Sequence, residues 1–147
     1  MLKMDIEALT AFLAASFPQV AGSFHIEALA PKTITIRMPV TPQNLRPGGT
    51  VSGPAMFMLA DVSVYLSLLA TIGPEALAVT TNASLDFLRK PAADRDLIAD
   101  CRLLKVGRVL AVGDVMIRSA GSDELVARAT LTYSIPPGRT LNFAAKG

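Results

Sequence analysis

From Pro54 to Ile72 the chain presents no polar face, and Gly73-Pro74 then stops it. A helix that is apolar on every side must be buried on every side. The remaining segments therefore have to wrap around it, which limits the possible folds sharply. A membrane span is the competing reading. Asp61, Ser63, Ser67 and Thr71 interrupt the run, however, and a carboxylate at mid-bilayer depth is expensive. We read a core helix and expect no membrane insertion.

The flanking segments change period. Ile6, Leu9, Phe12 and Leu13 fall at helical spacing, with Asp5 and Glu7 in the first turn and Pro18 as a stop, which predicts a lead-in helix over about 4–17. Phe24, Ile26 and Ala28 then alternate with Ser23, His25 and Glu27. Ile34, Ile36 and Met38 alternate with Thr33, Thr35 and Arg37, and Pro31-Lys32 marks a hairpin turn between the two runs. Thr41–Ser52, with its prolines and paired glycines, reads as a loop.

Four more alternating runs follow the apolar helix. They are carried by Leu77, Val79, Thr81, Ala83, Leu85 and Phe87; by Leu97, Ala99, Cys101 and Leu103; by Val109, Ala111, Val115 and Ile117; and by Leu125, Ala127, Ala129, Leu131, Tyr133 and Ile135. Hairpin-length connections imply an antiparallel sheet with one apolar face. Six such strands curling around one wholly apolar helix make an α+β hotdog fold. The expected organisation is a single domain over 1–147, with its core at about 22–136 and a short tail over 137–147. Pro136-Pro137-Gly138 would end the sheet.

Charged residues make up 18% of the chain against a usual figure of about 25%, while 51% is hydrophobic. That excludes disorder and implies that part of the surface is hidden by self-association. A net charge of +2 does not suit a nucleic-acid polyelectrolyte. The single cysteine, Cys101, excludes an intrachain disulfide and a thiolate metal cluster, and we read it as a small apolar filler on a strand. The opening residues place Asp5 and Glu7 where an export signal would be apolar, so the expectation is a cytoplasmic protein. His25, the only histidine, alternates outward and has no second histidine with which to share a metal.

Asp61 is the sharpest chemical signal. Phe57, Met58, Val64 and Tyr65 stand three and four positions from it, so the carboxylate is desolvated unless it faces a cleft. Burial favours a general base, and such a carboxylate can also attack a carbonyl directly. Tyr65 and Phe57 read as core or as lining of a substrate pocket. Ser52, Gly53 and Pro54 sit at the start of the helix, where free N–H groups and the helix dipole can stabilise an oxyanion; ordinary capping is the plainer reading. Proline has no N–H, so Gly53 is the candidate donor. Gly53 and Asp61 lie roughly 12 Å apart along one helix and cannot share a reaction centre. Two antiparallel helices across a two-fold axis would bring one copy's helix start beside the other's Asp61.

The stretch Leu45-Arg46-Pro47-Gly48-Gly49-Thr50-Val51-Ser52-Gly53-Pro54 through Met58-Leu59-Ala60-Asp61 resembles the hotdog thioesterases of the phenylacetate-degradation type, within the 4-hydroxybenzoyl-CoA thioesterase-like superfamily. Ser84-Leu85-Asp86-Phe87-Leu88-Arg89-Lys90-Pro91 and Leu104-Lys105-Val106-Gly107-Arg108 resemble later stretches of the same family, in the same order. The resemblance implies hydrolysis of an acyl-CoA without metal or redox cofactor, at sites shared across a homodimer or a dimer of dimers. It implies Asp61 as the catalytic acid residue and Thr80 as the hydroxyl that helps hold the attacking water. Two departures stand out. Ser52-Gly53-Pro54 occupies the place of the family's His-Gly-Gly turn. Arg46 occupies the place of its asparagine, with Asn44 the nearest such residue.

The expected substrate-binding set is Asn44, Ser52, Pro54, Asn82, Arg89, Lys90, Lys105 and Arg108. Thr80 and Asn82 are expected on the strand face opposite Val79 and Thr81, although a strand threonine is also favoured simply for its β-branch. Arg89, Lys90, Arg102, Lys105 and Arg108 gather late in the chain and could grip the CoA phosphates, or could be solvated surface. A non-catalytic acyl-CoA-binding hotdog protein is the alternative. A hotdog dehydratase is disfavoured because such enzymes rely on a histidine and His25 is badly placed.

Overall fold

The computed structural model of the chain describes residues 1–137. Asp5 opens the first helix, α1 (Ile6–Ser16), by accepting a hydrogen bond from the Ala8 N–H at 2.8 Å. Leu9 and Leu13 are its buried residues. The expected lead-in helix ends just before Pro18, and a further short helix follows it. Pro18 forces Phe17 out of helical geometry, at φ −140 and ψ 58, and then opens a short second helix, α2 (Pro18–Ala21). The physical reason is that proline restricts the residue before it but fits a first helical turn.

The first hairpin pairs β1 (His25–Ala30) with β2 (Thr33–Met38) through a turn in which Lys32 has a φ of 65. Ile34, Ile36 and Met38 are buried, as their alternation predicts. In β1 the pattern breaks. Glu27 is an extra residue between Ile26, opposite Ile36, and Ala28, opposite Thr35. This bulge turns Leu29 inward in place of the expected Ala28, which is exposed. The expected loop over Thr41–Ser52 holds a 3₁₀ turn at Pro42–Asn44 and a two-residue ribbon, β3 (Leu45–Arg46) against β4 (Thr50–Val51). Gly48 and Gly49 make its tight turn with φ values of 102 and 79.

The apolar run is one helix, α3 (Gly53–Ile72), capped by the Ser52 hydroxyl, which accepts from the Ala55 N–H at 3.2 Å. Pro54 is therefore its second residue. Gly73, at a φ of 97, ends the helix and returns its N–H to the Leu69 carbonyl at 2.8 Å. Four strands follow: β5 (Val79–Phe87), β6 (Leu97–Val106), β7 (Leu110–Ser119) and β8 (Leu125–Ser134). The six long strands form one antiparallel sheet in the order β1-β2-β6-β7-β8-β5, wrapped around α3 in the hotdog arrangement. α3 is long and apolar enough to cross a membrane, but most of it is buried inside this sheet.

Alanines at 99, 111, 127 and 129 line the concave face and are fully buried, so the helix sits close to the strands. The approach is close at Gly113, where an added Cβ would lie 3.0 Å from a Val64 methyl. Cys101 is buried among these residues, and desolvation with help from Asp114 pushes its thiol up to about 12, as suits an apolar filler. Val109, expected on the inner face, is exposed because it lies in the turn ahead of β7. Of the expected tail, 138–147 lies outside the described residues.

β5 departs most from simple alternation. Its register against β8 slips between Thr80, opposite Tyr133, and Asn82, opposite Thr132, with Thr81 as the extra residue. Beyond the bulge, Ala83, Leu85 and Phe87 face Leu131, Ala129 and Ala127 on the inner side. The expected common face for Val79, Thr81 and Ala83 is therefore split, and Thr80 takes the inward position. β5 is also an edge of the sheet, with Val79 at 55% and Phe87 at 54% exposure.

Candidate active site

Within α3 one stripe stays open: Pro54 and Phe57 are exposed, and Met58 and Asp61 are half-buried. Asp61 therefore meets the condition its apolar neighbours set, since it faces a cleft. Thr80 Oγ1 donates to Asp61 Oδ1 at 2.5 Å, and Tyr133 Oη donates to the same oxygen at 2.8 Å. Tyr133 Oη also lies 3.1 Å from the Asp61 backbone carbonyl. No described residue donates to Oδ2.

A pocket of about 450 Å³ opens beside this carboxylate, walled by Phe17, Gln19, Tyr65, Val79, Thr80 and Tyr133. Both tyrosines of the chain thus meet here, with ring centroids 6.0 Å apart and planes tilted by 31°. Burial, with Asp61 nearby, pushes the Tyr133 phenol far above its ordinary value, so it remains a neutral donor. Burial and Glu75 raise Tyr65 as well, and its hydroxyl reaches the Ala76 carbonyl at 3.4 Å. Tyr65 lines the pocket, whereas Phe57 belongs to a shallow apolar surface with Pro54, Leu85 and Phe87.

The start of α3 makes a second opening. The Gly53 N–H has no acceptor among the described residues, and it borders a cleft of about 580 Å³ ringed by Arg46, Arg89 and Lys90. Arg89 also holds the Leu125 carbonyl at 3.2 Å and pairs with Glu124 at 3.6 Å. Ser52 spends its hydroxyl on the cap. Asn44 spends its side chain inside its own turn, accepting from the Thr41 N–H at 2.8 Å and from the Thr41 hydroxyl at 3.1 Å.

The late cations do not form one cluster within a chain. Lys105 is level with Asn82 across the sheet, through Val112 and Thr132, and Arg89 lies past the end of β5 at Phe87. Along the strand direction alone that is roughly 17 Å at about 3.3 Å per residue. Arg108, in the turn after β6, shares the Lys105 end. Asn82 is exposed and paired with Thr132 on the outer face, so the bulge parts it from Thr80. Two residues of these sites went unassigned in the sequence: Tyr133, visible there only as one more inward position, and Arg46, visible only as a replacement for an asparagine. A tyrosine in an otherwise aliphatic inward row is a usable signal, because a buried phenol needs a partner.

The family model of the thioesterase superfamily matches residues 48–132. The chain is similar to a candidate thioesterase from a Silicibacter species, with 60% identity and a TM-score of 0.87, over 93% of this chain and 95% of that one. It is similar to a mutant of the phenylacetic acid degradation protein PaaI from Thermus thermophilus at 26% identity and a TM-score of 0.71, covering 81% and 99% of the two chains. Zebrafish thioesterase superfamily member 2 shares the fold, with 19% identity, a TM-score of 0.81 and coverage of 91% and 100%. Among the curated proteins none matches.

Proposed function

The chain belongs to the thioesterase superfamily, and from that premise we propose that it hydrolyses an acyl-CoA to the free acid and CoA. The observation that supports this reading is the convergence of two hydroxyls on one oxygen of a carboxylate at the head of a pocket. Asp61 Oδ2 takes a proton from water as the water oxygen attacks the thioester carbonyl carbon. Collapse of the tetrahedral intermediate breaks the C–S bond, and the thiolate leaves with the proton that Asp61 returns. Thr80, having donated its own proton to Asp61, keeps lone pairs that can accept from the water. Direct attack by Oδ2, followed by hydrolysis of the resulting anhydride, is the covalent variant. Neither route calls on a metal or a redox cofactor.

The oxyanion donor in this scheme is the Gly53 N–H at the positive end of the α3 dipole. Eight residues of helix, about 12 Å, separate it from its own Asp61. The donor for each Asp61 therefore comes from a second copy whose α3 runs antiparallel. The outer edge of β5, unpaired among the described residues, and the open stripe of α3, with Pro54 and Phe57 beside Asp61, support a homodimer or a dimer of dimers. Arg46, Arg89 and Lys90 around the Gly53 cleft are suited to the CoA phosphates.

A panel of acyl-CoA thioesters assayed by thiol release tests the proposal. Turnover of at least one member is expected. Binding across the panel without thiol release would instead identify an acyl-CoA-binding protein.

A further inference from the structure

The proposed chemistry uses Asp61 and Thr80 and leaves Tyr133 without a task. We infer that Tyr133 is a positioning residue for hydrolysis: with Thr80 it occupies Asp61 Oδ1, so that Oδ2 is the oxygen that takes the proton from water. This rests on the hydrolytic reading above and adds to it the identity of the working atom.

The geometry carries the inference. A carboxylate oxygen has two lone-pair sites, and the donors at 2.5 and 2.8 Å fill both on Oδ1. Oδ2 accepts from no described residue. Tyr133 Oη is also within 3.1 Å of the Asp61 carbonyl, so one hydroxyl meets the side chain and the backbone of the same residue. The phenol thus ties the Asp61 side chain to its own stretch of helix backbone. Tyr133 itself is 4% exposed, on a strand flanked by β7 and β5, with Leu131 and Ile135 buried on either side of it. A donor on a rigid interior strand holds its partner more accurately than one on a loop. Burial raises the phenol further, which favours the protonated donor.

A purely structural tie between β8 and α3 would use the same hydroxyl but would not couple it to ionisation of the carboxylate. The pH profile separates the two. Wild type, Tyr133→Phe and Asp61→Asn are compared by thiol release from a turned-over acyl-CoA. In Tyr133→Phe, which keeps the ring, kcat is expected to fall roughly tenfold or more, the scale of a hydrogen bond to a charged group, with KM within about twofold. The acid limb of its kcat profile should move to higher pH, because a hydrogen bond to an ionised carboxylate favours that form and the variant lacks it.

A second measurement stands even if that variant fails to fold. In a Tyr65→Phe chain, biosynthetic 3-fluorotyrosine labels Tyr133 alone, since the chain has two tyrosines. The more acidic phenol is a stronger donor and should move the acid limb the other way. Profiles that superimpose on the unmodified parents, or a rise in KM with unchanged kcat, overturn the inference while leaving Asp61 in place. An inert wild type overturns the hydrolytic reading and this inference with it, whereas full activity in Asp61→Asn overturns this inference and leaves hydrolysis standing.

Discussion

Thr80 Oγ1 meets Asp61 Oδ1 at 2.5 Å across 19 positions of sequence, and it does so because β5 carries one residue too many. Without the bulge at Thr81, alternation from Phe87, Leu85 and Ala83 would bring Thr81 inward and turn Thr80 toward the outer face. One inserted residue thus decides which hydroxyl reaches the carboxylate. The same insertion parts Thr80 from Asn82, which lies next to the inward Ala83 and faces outward.

Asp61→Asn is the substitution on which the function rests. The amide is nearly isosteric, so α3 should pack as before. As a base or nucleophile it is useless. We expect kcat to fall at least 100-fold, within the roughly 10²–10⁴ that general-base catalysis supplies, with acyl-CoA affinity within several-fold of wild type. Comparable rates in the two proteins would make Asp61 structural and direct attention to Asp86.

Assembly follows from what a lone chain leaves open. Val79 and Phe87 on the edge strand β5, whose outer side pairs with no described strand, expose apolar surface beside Phe57 on α3. Sedimentation at micromolar concentration should show two or four copies of the 15.5 kDa chain. An aspartate at Val79 should yield a smaller species that loses thioesterase activity along with its partner. A wild-type monomer that turns over substrate would contradict the shared site.

The split among the cations makes a selective prediction. Changing Arg46 and Lys90 to alanine should raise KM for acyl-CoA several-fold with little change in kcat, and the defect should shrink as salt rises. Lys105 and Arg108, at the opposite end of the strands within the chain, should be far less sensitive. Equal effects from both pairs would mean that a neighbouring copy brings them to one ligand.

Gly113 probes the packing between sheet and helix. A methyl there would lie 3.0 and 3.2 Å from the two Val64 methyls and 3.3 Å from Leu103. Valine in a helix has essentially one side-chain rotamer and cannot turn away. Gly113→Ala should therefore cost about 1–3 kcal/mol in denaturant unfolding, the usual scale of overpacking, although alanine ordinarily suits a strand better than glycine. A neutral or stabilising result would show that α3 can shift outward.

The apolar helix, its stop at Gly73, the two-residue alternation of most strands and the presence of a carboxylate in the core were legible in the sequence, because each depends on local spacing. A run with no polar side must be enclosed whatever encloses it, and strands of alternating character can enclose it only with their apolar face. Tertiary structure decided what spacing does not encode. The bulges at Glu27 and Thr81 exist only relative to a partner strand, so no window of one strand reveals them. The meeting of Tyr133 with Asp61 joins β8 to α3 across 72 positions. The late cations look adjacent in the chain but are held apart by the length of β5. Periodicity reports which face of an element is buried, whereas register between elements decides which atoms touch, and the candidate chemistry of this protein depends on register.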